Sequence, residues 1–245
     1  MKTWLYVFLA VALDGCAALL AGLIPERQLE RAREPLVGFA AGVLIATALL
    51  DMLPEALAGL PATTVLGTVV ATLAAMVLLE WTVGHRVTSG TESRRLAPVL
   101  LGADGFHNAA DGGAIAAAFL TSPRLGWIAA AAVIVHEVPE EVADYVLLRK
   151  AGMSRTRALV AMTGVQMTAG LGAVLTLIGA ALWTQIAPFV LAVAAGTFLH
   201  IAEVDLVPTV IGKGPSRRRR AEAVLAFVHG LAVVAAATFL WREPG

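Results

Sequence analysis

Residues 101–120 read LGADGFHNAADGGAIAAAFL and residues 127–144 read WIAAAAVIVHEVPEEVAD. Each is a largely apolar run near the ~20 residues that a helix needs to cross the hydrocarbon of a bilayer. Each also carries acids and an imidazole at its centre, where a charged side chain costs on the order of 3 kcal/mol by insertion scales. The polar residues are not scattered. His107 and Asp111 stand four apart, on one helix face and a turn from each other, and His136 and Glu140 repeat that spacing. Asn108, Glu137, Glu141 and Asp144 occupy adjoining positions. Pro139 has no amide hydrogen, so the carbonyl of Val135 loses its helical partner. A freed carbonyl at this depth suits an ion-lined cavity better than a surface facing lipid.

Working outward, apolar runs of spanning length occur at 3–24, 35–57, 61–83, 98–120, 125–148, 157–182, 187–211 and 221–241, which predicts eight transmembrane helices. The composition agrees: 58% of the 245 residues are hydrophobic and 15% charged, where a soluble domain carries about 25% charged residues. Residues 1–245 read as one all-α integral membrane domain, and the connection at 84–97 is expected to be short and flexible. Gly38 and Gly42 form a G-x-x-x-G, weak evidence of a packing seam in a chain so rich in small residues. The N-terminal run is interrupted by Asp14 and reads as a retained helix rather than a removed signal.

Charge sets the orientation. Arg27, Arg31 and Arg33; Arg86, Arg94 and Arg95; Arg149, Lys150, Arg155 and Arg157; and Lys213 with the arginines at 217–220 fall in alternate connections. That places fifteen of eighteen Lys and Arg on one side, leaving Lys2, Arg124 and Arg242 on the other. The positive-inside rule makes the basic side cytoplasmic, with both termini outside and a plasma or inner membrane as the location. Trp4, Trp81, Trp127, Trp183 and Trp241 lie at predicted helix ends, as an interfacial belt would place them. A net charge of zero argues against nucleic acid. The single Cys16 supplies neither a disulfide framework nor a thiolate cluster.

Further acids and imidazoles fall within spans: Asp14, Asp51, Glu80, Asp104, His200, Glu203 and Asp205. No Lys or Arg lies well inside a span, so protons, water or a bound cation must offset these carboxylates. Asp14 and Glu80 read equally well as structural, and His200 or His229 alone reads more readily as an interhelical hydrogen bonder than as a ligand. The group on the fourth and fifth spans is harder to dismiss. Two imidazoles with carboxylates and no sulfur suit zinc and other borderline divalent ions. The second span holds D-M-L-P (51–54) and the seventh D-L-V-P (205–208). Helices 1–3 repeating as 6–8 in inverted topology, around central helices 4 and 5, would match those two motifs, and transporters use such repeats.

His107-Asn108-Ala-Ala-Asp111-Gly112, with His136-Glu137-Val-Pro139-Glu140-Glu141 and Asp144, resembles the paired fourth- and fifth-helix signatures of the ZIP (Zrt/Irt-like) metal transporters. The resemblance extends over the whole chain. It implies His107, Asp111, His136 and Glu140 as direct ligands, with Asn108 and Glu137 completing the site or extending it towards a second ion. It also implies elevator-type alternating access, helices 1, 4, 5 and 6 moving against 2, 3, 7 and 8, in a homodimer. Three departures stand out: residues 84–97 offer only His85 and Glu92 where many members have a His-rich loop; the sixth helix offers uncharged Gln166 and Thr168 where some bacterial members place a carboxylate; and Asp51 stands where many carry His.

The expected function is therefore transport of Zn2+ (or Fe2+, Mn2+, Cd2+) into the cytoplasm, the ion being substrate and no catalytic cofactor being required. Asp51, Glu141, Asp144, His200, Glu203 and Asp205 are candidate path or relay groups. Binding needs neutral imidazoles and ionised carboxylates, so acid weakens it. One alternative is a proton-coupled carrier or channel for another solute. Another is an intramembrane metalloprotease, which fails on chemistry: H-E-x-x-H needs a second His where this chain has Glu140.

Overall fold

A computed structural model describes the backbone of residues 2–21, 26–88, 93–150, 152–208 and 216–240. Side chains are described there except at 17–21, 26–33, 79–80, 83–88, 93–100, 103, 139, 142–143, 146–147, 150 and 204–205. Among the described residues the regular structure is helical, without strands, and forms eight rods. These are α1 (Lys2–Ala21), α2 (Glu26–Thr47), α3 (Ala62–Thr88), α4 (Ser93–Thr121), α5 (Pro123–Lys150), α6 (Arg155–Leu182), α7 (Ile186–His200) and α8 (Arg217–Leu240). Rod α2 continues through a π-helical stretch (Ala48–Met52) into a further α-helical piece (Leu53–Gly59), and α7 continues into a second π-helical stretch (Ile201–Leu206). Of the connection expected at 84–97, only residues 89–92 lie between α3 and α4, and they fall outside the described residues.

Both D-x-x-P motifs coincide with the π-helical stretches: Asp51 lies in one and Asp205 in the other, each followed by its proline. Proline supplies no amide hydrogen to the carbonyl four residues earlier. A widened turn absorbs that fault without ending the rod, and such turns are frequent at functional positions.

By length and hydropathy alone, four segments among the described residues are fit to cross a membrane: Glu34–Gly59, Arg155–Leu182, Ile186–Glu203 and Arg217–Leu240. These four match the expected spans at 35–57, 157–182, 187–211 and 221–241. The acids and imidazoles of α4 and α5 dilute their apolar character, and the described apolar part of α3 is the shorter Ala62–Leu78. Polarity is nevertheless arranged inside out. Met167 is 75% and Leu182 86% exposed, whereas Asp111, His136 and Glu137 are buried. An all-helical chain with an apolar skin and acids and imidazoles buried within it is built for lipid.

Small residues let the rods approach closely. Rod α2 lies along α8, where Gly38 and Gly42 meet the main-chain carbonyls of Ala223 and Phe227, and Gly230 meets that of Phe39. The G-x-x-x-G is therefore a true seam. Rod α4 lies along α6 in the same manner, Gly112 against the carbonyl of Ala169 and Gly172 against that of Ala109. Rods α1, α4, α5 and α6 pack on one another, α7 joins α2 and α3, and the two sets meet where α5 touches α2, α4 touches α7 and, to a lesser extent, α6 touches α7. The tryptophans divide: Trp4, Trp81 and Trp183 are exposed, while Trp127 is half-buried, edge-on to Phe119 with ring centroids 5.3 Å apart. Trp241 lies outside the described residues.

Candidate metal centre

The α4–α6 crossing fixes which face of α4 turns inward, and that face carries His107 and Asp111. Rod α5 presents His136 and Glu137 to them. One ligand-type atom from each of these four residues lies within 4.8 Å of all the others. His107 Nε2 is 3.2 Å from His136 Nε2, 3.5 Å from Asp111 Oδ2 and 3.5 Å from Glu137 Oε1. His136 Nε2 is 3.1 Å from Asp111 Oδ2 and 3.8 Å from Glu137 Oε1. Glu140 stands beside them, its Oε2 3.2 Å from His107 Nε2 and 3.9 Å from His136 Nε2.

These spacings have a chemical meaning. Zn–N and Zn–O bonds of about 2.0–2.2 Å in a tetrahedron separate neighbouring donors by roughly 3.3–3.6 Å. The measured separations bracket that range. The ring of His136 is also set for ligation: its Nδ1 lies 3.1 Å from the carbonyl of Ala132. A proton on Nδ1 donated to that carbonyl leaves the Nε2 lone pair facing the cluster, the usual arrangement behind a ligating imidazole. Phe198 of α7 covers the ring at a centroid distance of 5.6 Å. Asp111 Oδ2, Glu137 Oε1 and Glu140 Oε2 are buried and receive no hydrogen bond. Carboxylate oxygens turned inward without donors are costly in a low dielectric, and a cation among them removes the cost.

A surrounding layer holds the donors in place. Gln166 of α6 donates from Nε2 to Glu137 Oε2 at 2.8 Å and also to Glu141 Oε1. Glu137 thus has one oxygen tethered and the other turned to the imidazoles. Asn108 donates from Nδ2 to the carbonyl of Asp104 at 3.1 Å and to Asp104 Oδ1 at 2.7 Å, so its NH2 serves its own helix, while its buried Oδ1 accepts no hydrogen bond. Asp144 is half-buried beyond Glu141 on α5. His200 is buried at the end of the α-helical part of α7, Glu203 is exposed in the π-helical stretch, and the side chain of Asp205 is outside the described residues.

One expectation is corrected. A basic side chain does reach a buried acid, because Arg124 Nη2 donates to Asp51 Oδ1 at 3.1 Å. Arg124 lies near a span end, and its long flexible side chain reaches inward from there. Sequence reasoning also undervalued Gln166, whose lack of charge gave no signal, and left Asp14 undecided. Asp14 is buried with neither carboxylate oxygen hydrogen-bonded.

A model of the family described as ZIP zinc transporter matches residues 81–238, more than half of the chain and the whole of the cluster above. The chain belongs to the ZIP family. It is 34% identical over 147 residues to the zinc transporter ZIP13 homolog of Drosophila melanogaster, covering 58% of this chain and 40% of that protein. It is 37% identical over 128 residues to zinc transporter ZIP4 of Homo sapiens, covering 49% of this chain and 20% of that protein. Zinc transporter ZIP10 of Danio rerio is 36% identical over 124 residues, 51% of this chain and 14% of its own length. The chain thus spans less than half the length of these relatives. Its family is one of membrane transporters and not of enzymes.

Proposed function

We propose that this ZIP-family chain carries a divalent metal ion, zinc foremost, across a membrane into the cytoplasm through the site on α4 and α5. The observation that carries this reading is the convergence of His107, Asp111, His136 and Glu137 at separations suited to a tetrahedral ion. Two imidazoles and two carboxylates neutralise the ion, and neutral imidazole with hard oxygen favours borderline metals over Ca2+ or Mg2+. Glu140 is a fifth donor that an arriving or departing ion can exchange onto. The eight apolar runs of spanning length support eight spans, and the basic connections support both termini lying outside. The split between α1, α4, α5, α6 and α2, α3, α7, α8 supports movement of one set against the other. The matching π-helical stretches at the two D-x-x-P motifs support an inverted repeat.

The test is uptake by purified protein in proteoliposomes loaded with a zinc-sensitive dye. Zinc influx above that of empty liposomes is expected, with competition from Cd2+ and none from Mg2+. Equal rates with and without protein would sink the reading.

Gln166 bears on how many ions bind. Its neutral amide occupies the space between Glu137 and Glu141 and satisfies both with hydrogen rather than metal. We expect Gln166→Glu to place a third carboxylate there and raise bound zinc from about one to about two per chain. Metal analysis of the desalted protein checks it, and unchanged stoichiometry would count against this role.

A further inference from the structure

Three rods are fastened together at one end of the molecule. Arg124 is the second residue of α5, Asp51 lies in the π-helical stretch of α2, and Thr238 is in the last turn of α8. Arg124 Nη2 donates to Asp51 Oδ1 at 3.1 Å and to the Thr238 carbonyl at 3.0 Å. Thr238 Oγ1 donates to the other carboxylate oxygen, Asp51 Oδ2, at 2.8 Å. Asp51 and Thr238 are buried and Arg124 is half-buried. Each contact has a local cause. The Thr238 carbonyl is one of the last four of its helix and has no helical partner, and a guanidinium at a helix C-terminus is further favoured by the dipole. Partial burial strengthens the charge-assisted bonds.

The location gives this ring of contacts its meaning. Rods α2 and α8 are held to each other along their glycine seam, so the contact from Asp51 to Thr238 adds little that is new. Arg124, by contrast, belongs to the rod that carries His136 and Glu137. It joins the donor-bearing set of rods to the other set. His136 lies twelve residues further along α5, about 18 Å at 1.5 Å per residue. Between the two levels, Ile115 and Phe119 of α4 and Leu125, Ile128 and Val133 of α5 are buried. On the opposite side of the cluster the Glu140 side chain is 36% exposed, Asp104 and Asp144 are half-buried and Phe106 is exposed. The cluster is closed towards Arg124 and open away from it.

We propose that Arg124, Asp51 and the end of α8 form a latch that holds the outer end of the molecule shut in this state and releases when an ion enters from outside. The proposal rests on the transport reading above. It assigns the Asp51 carboxylate to fastening rather than to the ion path, and it gives a reason for an arginine on the outer side, where basic residues are scarce.

The test has two arms. Hydrogen exchange of the purified full chain is compared for wild type, Arg124→Met and the neutral pair Asp51→Asn/Arg124→Met, the pair guarding against misfolding caused by an unpaired buried acid. Exchange near residues 48–59 and 230–240 is expected to speed up about tenfold in both variants, as loss of charge-assisted bonds implies. Unchanged exchange overturns the latch whether or not the protein moves zinc. In the second arm, cysteines replace Asp51 and Arg124 in a Cys16→Ser background and are joined by a short bis-methanethiosulfonate. Uptake is expected to fall at least about tenfold, as blocking a gating movement requires, and to return on reduction, with zinc binding retained. Uptake at the uncrosslinked rate overturns the latch. Absence of uptake in wild type instead defeats the transport reading, and the exchange arm still decides the latch.

Discussion

His107→Ala and Asp111→Ala are expected to abolish zinc uptake while leaving the fold intact. His107 Nε2 lies 3.2–3.5 Å from donors on all four of its neighbours in the cluster, His136, Asp111, Glu137 and Glu140. Removing it deletes a donor that lies within 3.5 Å of every other donor of the cluster. Loss of an outer-shell partner alone costs about 10–100-fold in metal affinity, so loss of a direct donor should exceed that range. Stability separates this result from simple misfolding. The wild-type chain should gain about 2.7 kcal/mol from zinc at a hundred times its Kd, read as a rise in melting temperature in detergent. The variants should lose that gain. Without zinc, Asp111→Ala should be at least as stable as wild type, because it removes a buried carboxylate oxygen that accepts no hydrogen bond. Wild-type uptake, or a full zinc-dependent rise in melting temperature, in both variants would remove these residues from the site.

Gly112→Ala and Gly172→Ala are expected to destabilise the protein severely, although each adds a single methyl group. A Cβ at either position would overlap a main-chain carbonyl of the facing rod, that of Ala169 or of Ala109. A carbonyl cannot turn aside as a side chain does, so α4 and α6 must separate. Overpacking of this kind costs about 1–3 kcal/mol, and more where the backbone must move. The separation also withdraws Gln166 from Glu137, so residual folded protein should bind zinc weakly. Gly164→Ala and Gly170→Ala on the same helix serve as controls, since a Cβ at either meets nothing within 4 Å. Fluorescence-detected size exclusion after heating compares the four variants. Equal melting temperatures across them would show that the close crossing is not required.

The contrast between those two pairs of glycines marks the limit of what the sequence discloses. Gly170 and Gly172 sit on one helix two residues apart, and nothing in composition or spacing says which meets a backbone. Helical periodicity relates residues within a rod, so the paired four-residue spacings of His107 with Asp111 and His136 with Glu140 were legible. So were the apolar runs that become the rods and the recurrence of D-x-x-P on the second and seventh of them. Periodicity says nothing about how a rod is rotated against its neighbour. Which of the acids on α5 is tethered is such a question: Glu137 and Glu140, three residues apart on one side of the rod, both reach the imidazoles, and Gln166 of α6, twenty-nine residues away from Glu137, holds the former in place.

The one-dimensional record therefore determined that this chain is helical, that its interior is acidic, and that ligand-type residues are concentrated on two adjacent rods. Those properties follow from the local cost of placing each side chain in lipid and from the helical repeat. Tertiary packing alone decided that Arg124 reaches Asp51 across seventy-three residues, that an uncharged glutamine divides two carboxylates, and which four donors converge. These depend on interhelical distance and rotation, set by whether small residues allow two backbones to touch.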